Sequence, residues 1–84
     1  MTQEDVFKKI ATERNYQDSC WGSIEDHPHD LSAWILIMEK ELQEAKEAWC
    51  TEIGDILCMQ EILHVIAVGV ACLEQHGSSN LDGR

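Results

Sequence analysis

Basic side chains are scarce in this sequence. Its 84 residues include 6 Lys and Arg against 16 Asp and Glu, which gives a formal net charge of −10. Because phosphate backbones and anionic surfaces are bound by clustered Lys and Arg, this balance excludes a nucleic-acid coat protein and a basic membrane-surface peptide. A small phosphorylated ligand stays compatible with it, since a divalent cation can bridge carboxylates to phosphates.

The sequence also lacks a C-x-x-C pair, a glycine-rich phosphate loop and a long apolar run. Its longest apolar stretch, from Val65 to Leu73, is far shorter than the roughly 20 residues of a membrane span. The N-terminal residues MTQEDVFKKI show no basic-then-apolar signal segment. We therefore expect a cytoplasmic protein with no membrane partner, in which the thiols of its four cysteines are reduced.

No segment shows sustained strand alternation, and the pattern predicts three helices. The first runs from about Thr2 to Gln17, and the loop after it contains Gly22 and Pro28. The second begins at a cap formed by Asp30 or Ser32 and ends near Trp49. The third begins near Asp55, as a candidate cap, and ends at His76, with Gly77 as a left-handed terminating residue. Residues 1–77 are thus predicted to form a single all-α domain, and residues 78–84 a flexible tail.

The predicted third helix is apolar nearly all round. From Ile56 to Leu73 its only strongly polar residues are Gln60, Glu61 and His64. A helix of this kind is buried on most sides, and a three-helix chain this short can hardly surround it. We therefore predict a compact helical bundle that is completed by homo-oligomerisation.

Four polar residues interrupt apolar helical rows at i,i+3 spacing. Glu41 and Glu44 lie on the row of Trp34 and Ile37 in the second helix; Glu61 and His64 interrupt a row of the third. Held together in a partly buried site, such carboxylates repel one another and lose hydration, and a divalent cation relieves both effects. Oxygen-rich ligands suit Mg²⁺ or Mn²⁺. The alternative is that the glutamates reach the rim of the bundle and His64 is a hydrogen-bonded core residue.

At these residues the sequence resembles the MazG-like, all-α nucleoside triphosphate pyrophosphohydrolases, whose motif is E-E-x-x-E on one helix and E-x-x-D on the next. The matching blocks are KELQEAKEA, residues 40–48, and EILHVIAV, residues 61–68. The upstream run ERNYQDSCWGSIEDHPHD is similar to the lead-in of short, phage- and cassette-type members. The resemblance covers about residues 3–76.

The resemblance implies a homodimer or homotetramer that hydrolyses a nucleoside or deoxynucleoside triphosphate to the monophosphate and pyrophosphate. Its implied cofactor is Mg²⁺, with Mn²⁺ as a substitute. The implied metal-binding and catalytic residues are Glu41, Glu44, Glu61 and His64. Further residues expected at the substrate are Arg14 and Lys40 for the phosphates, and Trp21 and Trp34 for the base.

Two positions depart from the family motif: Lys40 replaces its first Glu, and His64 replaces its Asp. These departures leave a second hypothesis open, a catalytically degenerate helical oligomer that acts as a binding or regulatory module. Glu61-x-x-His64 is also the unit found in di-iron bundles, which is a third possibility. A rival register of the second motif uses Glu52 and Asp55.

Overall fold

The computed structural model describes residues 1–51 and 54–81, and within these ranges it contains three α-helices and no strand. The helices are α1 (Gln3–Trp21), α2 (Leu31–Thr51) and α3 (Asp55–Asn80). The predicted all-α fold with three main helices is confirmed. Glu52, Ile53 and residues 82–84 lie outside the described residues.

Helix α1 begins at a capping box and ends one turn later than predicted. The Thr2 hydroxyl accepts a hydrogen bond from the Asp5 amide, and the Asp5 carboxylate accepts one from the Thr2 amide. The predicted end at Gln17 is wrong, because the helix continues to Trp21. The ion pair between Arg14 and Asp18, one turn apart, supports this last part of the helix.

Helix α2 is capped by Asp30, one of the two predicted caps. The Asp30 carboxylate accepts hydrogen bonds from the Ala33 amide and the Ser32 hydroxyl, which satisfies an amide that has no partner within the helix. The helix ends at Thr51, slightly beyond the predicted end at Trp49.

Both ends of α3 differ from the prediction. The N-cap is Gly54, so Asp55 lies in the first turn and is not the cap. The helix also passes through Gly77 to Asn80, so the predicted end at His76 with a left-handed Gly77 is wrong, and residues 78–80 of the predicted tail are helical. Hydrogen bonds across this last turn, from the Asn80 side chain to the His76 carbonyl and from the Leu81 amide to the Gly77 carbonyl, hold it helical.

Helix α3 is the central element. It packs against α2 and against α1, whereas α1 and α2 make no close backbone approach to each other in the described part of the chain. Trp34 near the start of α2 meets Gln75 near the end of α3, and Glu41 meets His64 further back, so these two helices are antiparallel. This arrangement leaves space between α1 and α2, with α3 as its floor.

The row of α2 that carries the glutamates is the one that faces α3. Trp34 on this row is buried, and Glu41 and Glu44 are half-buried. The small core consists of Trp34, Val68, Ala71 and Cys72, with Ile24, Ile37 and Met38 packed against it. The two glutamates therefore point toward the interior, as their place among apolar residues predicts.

Much apolar surface is left exposed by this packing. The other apolar row of α2 is largely outside the core, and its large exposed members are Leu31, Ile35, Leu42 and Trp49. Helix α3 is long and apolar enough to cross a membrane by length and composition, and 22% of its most apolar window is buried. The sequence has no uninterrupted apolar run of that length, but the mean hydropathy of α3 stays high because its polar residues are few and scattered.

Candidate metal centre and adjoining cleft

Three of the four residues predicted for a metal site come together between α2 and α3. One ligand atom from each of Glu41, Glu61 and His64 lies within 4.8 Å of the other two. The Nδ1 atom of His64 is 3.2 Å from a carboxylate oxygen of Glu61, one turn earlier on the same helix. All three side chains are half-buried, so the group is partly removed from water and stays accessible to solvent.

Glu44 lies beside this group and acts on it through its charge. Burial raises the pKa of Glu41, and the negative charges of Glu44 and Glu61 raise it further, while His64 acts in the opposite direction. Negative charge is therefore unfavourable at this position when no cation is bound.

The donor set fits a divalent cation. The two carboxylates are ligands that Mg²⁺ and Mn²⁺ use in proteins, and the imidazole is a ligand that suits transition-metal dications. A bound dication would offset both the desolvation and the repulsion that raise the pKa of Glu41. The chemistry of these residues is thus complementary to positive charge.

A cleft of about 310 Å³ adjoins the metal group. It occupies the space between α1 and α2, and Val68 and Ala71 of α3 line its floor. Glu41 lines the same cleft and so connects it with the group. The cleft exists because α1 and α2 both pack on α3 without meeting each other.

All four residues predicted to contact substrate line the cleft: Arg14, Trp21, Trp34 and Lys40. Their surroundings differ. Trp21 is 78% exposed, and Lys40 is exposed next to Glu41. The indole of Trp34 is buried and donates a hydrogen bond to Gln75 (2.9 Å). Trp21 and Lys40 are therefore the two whose functional groups are open to a ligand.

Arg14 is engaged by other parts of the protein. It is 8% exposed, and its guanidinium pairs with Asp18 and, at 2.5 Å, with Glu74 of α3. Burial opposes the charge of Arg14, but its hydrogen bonds with these two carboxylates outweigh burial and raise its pKa. The geometry favours a structural role, in which Arg14 fastens α1 to α3.

Glu13 of α1 is a carboxylate at the site that the sequence analysis missed. A Glu13 oxygen is 3.8 Å from Nε2 of His64, and the Glu13 side chain is only 15% exposed. Gln17, one turn further, donates a hydrogen bond to the His64 carbonyl (3.2 Å). The spacing Val6, Ile10, Glu13, Gln17 continues the apolar stripe of α1 in four- and three-residue steps, which is the signal that could have identified both residues.

The loop that closes one end of the cleft is fastened to the end of α3. The Gln75 side chain donates to the His29 carbonyl (2.5 Å) and accepts from the His29 amide (3.1 Å). Nε2 of His76 donates to the same carbonyl (3.0 Å). The His29 ring packs edge-on against Trp34, with ring centroids 4.9 Å apart. These contacts hold His27 and His29 along the cleft.

The rival register of the second motif is only partly described. Asp55 is exposed in the first turn of α3, and Glu52 lies outside the described residues. In the register that begins at Glu61, the structure brings the two motif residues, Glu61 and His64, close to Glu41.

Comparison of the chain with protein-family models, with curated proteins and with solved structures found no match.

Proposed function

We propose that this protein is a metal-dependent nucleotide pyrophosphohydrolase that converts an NTP or dNTP to the monophosphate and pyrophosphate. The observation that carries the proposal is the position of Glu41, which belongs both to the group with Glu61 and His64 and to the lining of the cleft. A cation held there lies beside a space bordered by an exposed tryptophan and a lysine. A nucleotide offers an aromatic base for the tryptophan and anionic phosphates for the cation and the lysine.

In this reaction the oxygen of water forms a bond to the α-phosphorus, and the bond from that phosphorus to the oxygen bridging it to the β-phosphorus breaks. Pyrophosphate leaves, and the proton of the water passes to a carboxylate of the site. Bound Mg²⁺ or Mn²⁺ supplies neutralisation of phosphate charge and a water of lowered pKa.

The residues of the chain bind, orient and accept the proton. Glu41, Glu61 and His64 hold the cation, and Glu44 is the adjacent carboxylate that accepts the proton of the water. The Lys40 ammonium contacts phosphate oxygens, and the exposed ring of Trp21 stacks on the base.

The proposed enzyme acts in the cytoplasm as a homodimer or homotetramer. The surface for self-association is the apolar depression that Leu42 and Trp49 of α2 line together with Ile62 of α3, since exposed apolar patches commonly mark sites of association. Arg14 of α1 forms an ion pair with Glu74 of α3. Because charged side chains are costly to bury in lipid, this pair favours contact of α3 with protein and water.

A second candidate is a catalytically degenerate oligomer that serves as a binding or regulatory module. One observation favours it: His64 lies between the carboxylates of Glu61 and Glu13, so these carboxylates already have a partner within the chain. Lys40, where the family motif has a glutamate, adds a built-in cation.

The two candidates are separated by a screen for pyrophosphate release from the eight common NTPs and dNTPs, with Mg²⁺ and with Mn²⁺. The pyrophosphohydrolase releases pyrophosphate from at least one of them, and Glu44→Gln abolishes release while the variant stays folded and associated. Glu39→Gln, an exposed change on the same helix, is the control and keeps full activity. Absence of release from all eight nucleotides with both metals would establish the degenerate module.

A further inference from the structure

His64 has a carboxylate at each of its two ring nitrogens, and the two carboxylates come from different helices. Nδ1 faces Glu61 of α3 at 3.2 Å, and Nε2 faces Glu13 of α1 at 3.8 Å. A neutral imidazole has one N–H and one lone pair, and the partner of one nitrogen decides which role is left to the other.

The 3.2 Å between Nδ1 and the Glu61 oxygen is a hydrogen-bonding distance, and it also suits two ligands of a shared cation. Two neighbouring ligands of an octahedral dication, each about 2.1 Å from it, are about 3 Å apart, close to the separation of Nδ1 and the Glu61 oxygen. Nδ1 is therefore the nitrogen that can join Glu41 and Glu61 as a ligand, provided that the proton is on Nε2.

The Glu13 carboxylate lies beside Nε2 at 3.8 Å, beyond hydrogen-bonding distance, so it favours a proton on that nitrogen through its negative charge. Its side chain is largely buried, at 15% exposure, so its charge is little screened by water. Gln17 binds the backbone of His64 itself, which fixes this part of α1 against the residue that Glu13 acts on. A carboxylate behind the second ring nitrogen of a ligating histidine is a common arrangement that fixes the tautomer of the ring.

We propose that Glu13 is a positioning residue that holds His64 as an imidazole ligand, and that the site consequently selects Mn²⁺ and similar transition-metal dications over Mg²⁺. The inference rests on the proposed function for the existence of the metal site. Carboxylates and water suit Mg²⁺ and Mn²⁺ alike, whereas an imidazole suits transition metals. His64 in place of a carboxylate thus changes which cation the site prefers.

The test measures Mn²⁺ binding by the full chain without an affinity tag, from the EPR signal of free Mn²⁺, with Mg²⁺ as competitor. We expect the wild type to bind Mn²⁺ at least tenfold more tightly than Mg²⁺. Glu13→Gln should weaken Mn²⁺ binding by about 10- to 100-fold and change Mg²⁺ binding much less. Glu4→Gln, the same change at an exposed position of α1, should leave both affinities unchanged.

A second variant separates positioning from a general effect of charge. In the background of His64→Asp, which restores the carboxylate of the family motif, the preference for Mn²⁺ should fall, and Glu13→Gln should no longer weaken Mn²⁺ binding. Pulsed EPR of Mn²⁺ bound to the wild type should show coupling to an imidazole nitrogen, a readout that does not depend on any variant being folded.

Three results would overturn the inference. The first is a Mn²⁺ affinity of Glu13→Gln within twofold of wild type, and the second is an equal loss of Mn²⁺ affinity on Glu13→Gln with and without His64. The third is a pulsed EPR spectrum of the wild type without nitrogen coupling, which includes a wild type that binds no Mn²⁺. The proposed function fails on a different observation. If Mn²⁺ binds as described and no nucleotide releases pyrophosphate, the positioning role of Glu13 stands and the enzymatic proposal does not.

Discussion

Glu41 is the residue at which the cleft and the candidate metal centre meet. Its carboxylate is partly desolvated and has Glu44 and Glu61 as neighbours, and both effects raise its pKa. The folded chain therefore holds this proton more tightly than the unfolded chain. The contribution of Glu41 to stability is largest below the ordinary pKa of glutamate and declines as the pH rises through the raised pKa.

We predict that Glu41→Gln raises the Tm of the metal-free protein at pH 7 by a few degrees, because about 1 kcal/mol corresponds to roughly 4–8 °C in a domain of this size. The gain should vanish near pH 4, where the wild-type carboxyl is protonated. Added Mn²⁺ should raise the Tm of the wild type and have little effect on the variant. Thermal unfolding followed by circular dichroism, with Glu39→Gln as control, measures this; a lower Tm for Glu41→Gln at pH 7 would contradict it.

Arg14 is a residue whose place near the cleft follows from the sequence and whose ion-pair partners do not. The sequence places a cation near the expected phosphates, and the structure does place Arg14 in the cleft lining. Its ion pairs with Asp18 and Glu74 could not be predicted, since Glu74 is distant in sequence and meets α1 only in the packed bundle.

We expect Arg14→Ala to destabilise the fold by about 1–3 kcal/mol, because it removes a buried hydrogen-bonding partner from two carboxylates that keep part of their hydration. Chemical denaturation at pH 7 measures the loss. Lys8→Ala removes a cation from an exposed pair on the same helix and should leave stability almost unchanged. Equal effects of the two substitutions would contradict the role of Arg14 in fastening α1 to α3.

At the scale of the helices, the sequence predicts the type and the order of the elements well. It predicts the residues at which they end less well. The three helices and the Asp30 cap follow from apolar periodicity and local hydrogen-bonding chemistry. The last turn of α3 was not predicted because Gly77, a common terminating residue, is accommodated within the helix here, and α1 continues past Gln17 to Trp21, directly before Gly22. The rows that carry Glu41, Glu61 and His64 could be predicted because i,i+3 spacing is local. The approach of Glu13 could not, because it depends on how α1 packs.

Two glycines with positive φ, Gly22 after α1 and Gly54 before α3, provide a matched pair for a test of the cleft loop. Both backbones are in a region almost restricted to glycine, so each Gly→Ala change should destabilise by about 1–3 kcal/mol. A Cβ at Gly22 would lie 2.1 Å from the His27 ring, whereas none of the described atoms lies within 4 Å of one at Gly54.

We therefore predict that Gly22→Ala is the more destabilising of the two in chemical denaturation. Adding His27→Ala to it should remove the excess and bring the loss to the level of Gly54→Ala. If the excess persists without the His27 ring, the ring is not the obstacle and the loop is held differently from the arrangement described.

For the whole molecule, the deciding feature is the amount of apolar surface left uncovered by a 9.6 kDa chain. Among the described residues no large side chain is fully buried, although the small Ala67 is, so the single chain has little core of its own. A shallow apolar depression lined by Leu42, Trp49 and Ile62 lies across α2 and α3, away from the cleft. Association through this face would cover apolar residues and leave the metal group accessible.

We predict that the protein sediments as a dimer or tetramer in detergent-free buffer and that Leu42→Glu shifts it toward monomer, because the change puts a charge on the apolar face. Gln3→Glu adds the same charge at the exposed start of α1 and should not affect association. Sedimentation velocity over a range of concentrations gives both results. A monodisperse wild-type monomer, or a protein recovered only with detergent, would contradict the account.

The central claim is that Glu41, Glu61 and His64 direct a water molecule at the α-phosphorus of a nucleotide bound in the cleft. Hydrolysis in ¹⁸O-labelled water, analysed by ³¹P NMR and mass spectrometry of the products, tests this most directly. The account predicts one ¹⁸O atom in the nucleoside monophosphate and none in pyrophosphate, with both products lost in Glu41→Gln. Label in pyrophosphate, release of inorganic phosphate in place of pyrophosphate, or full activity in Glu41→Gln would contradict it.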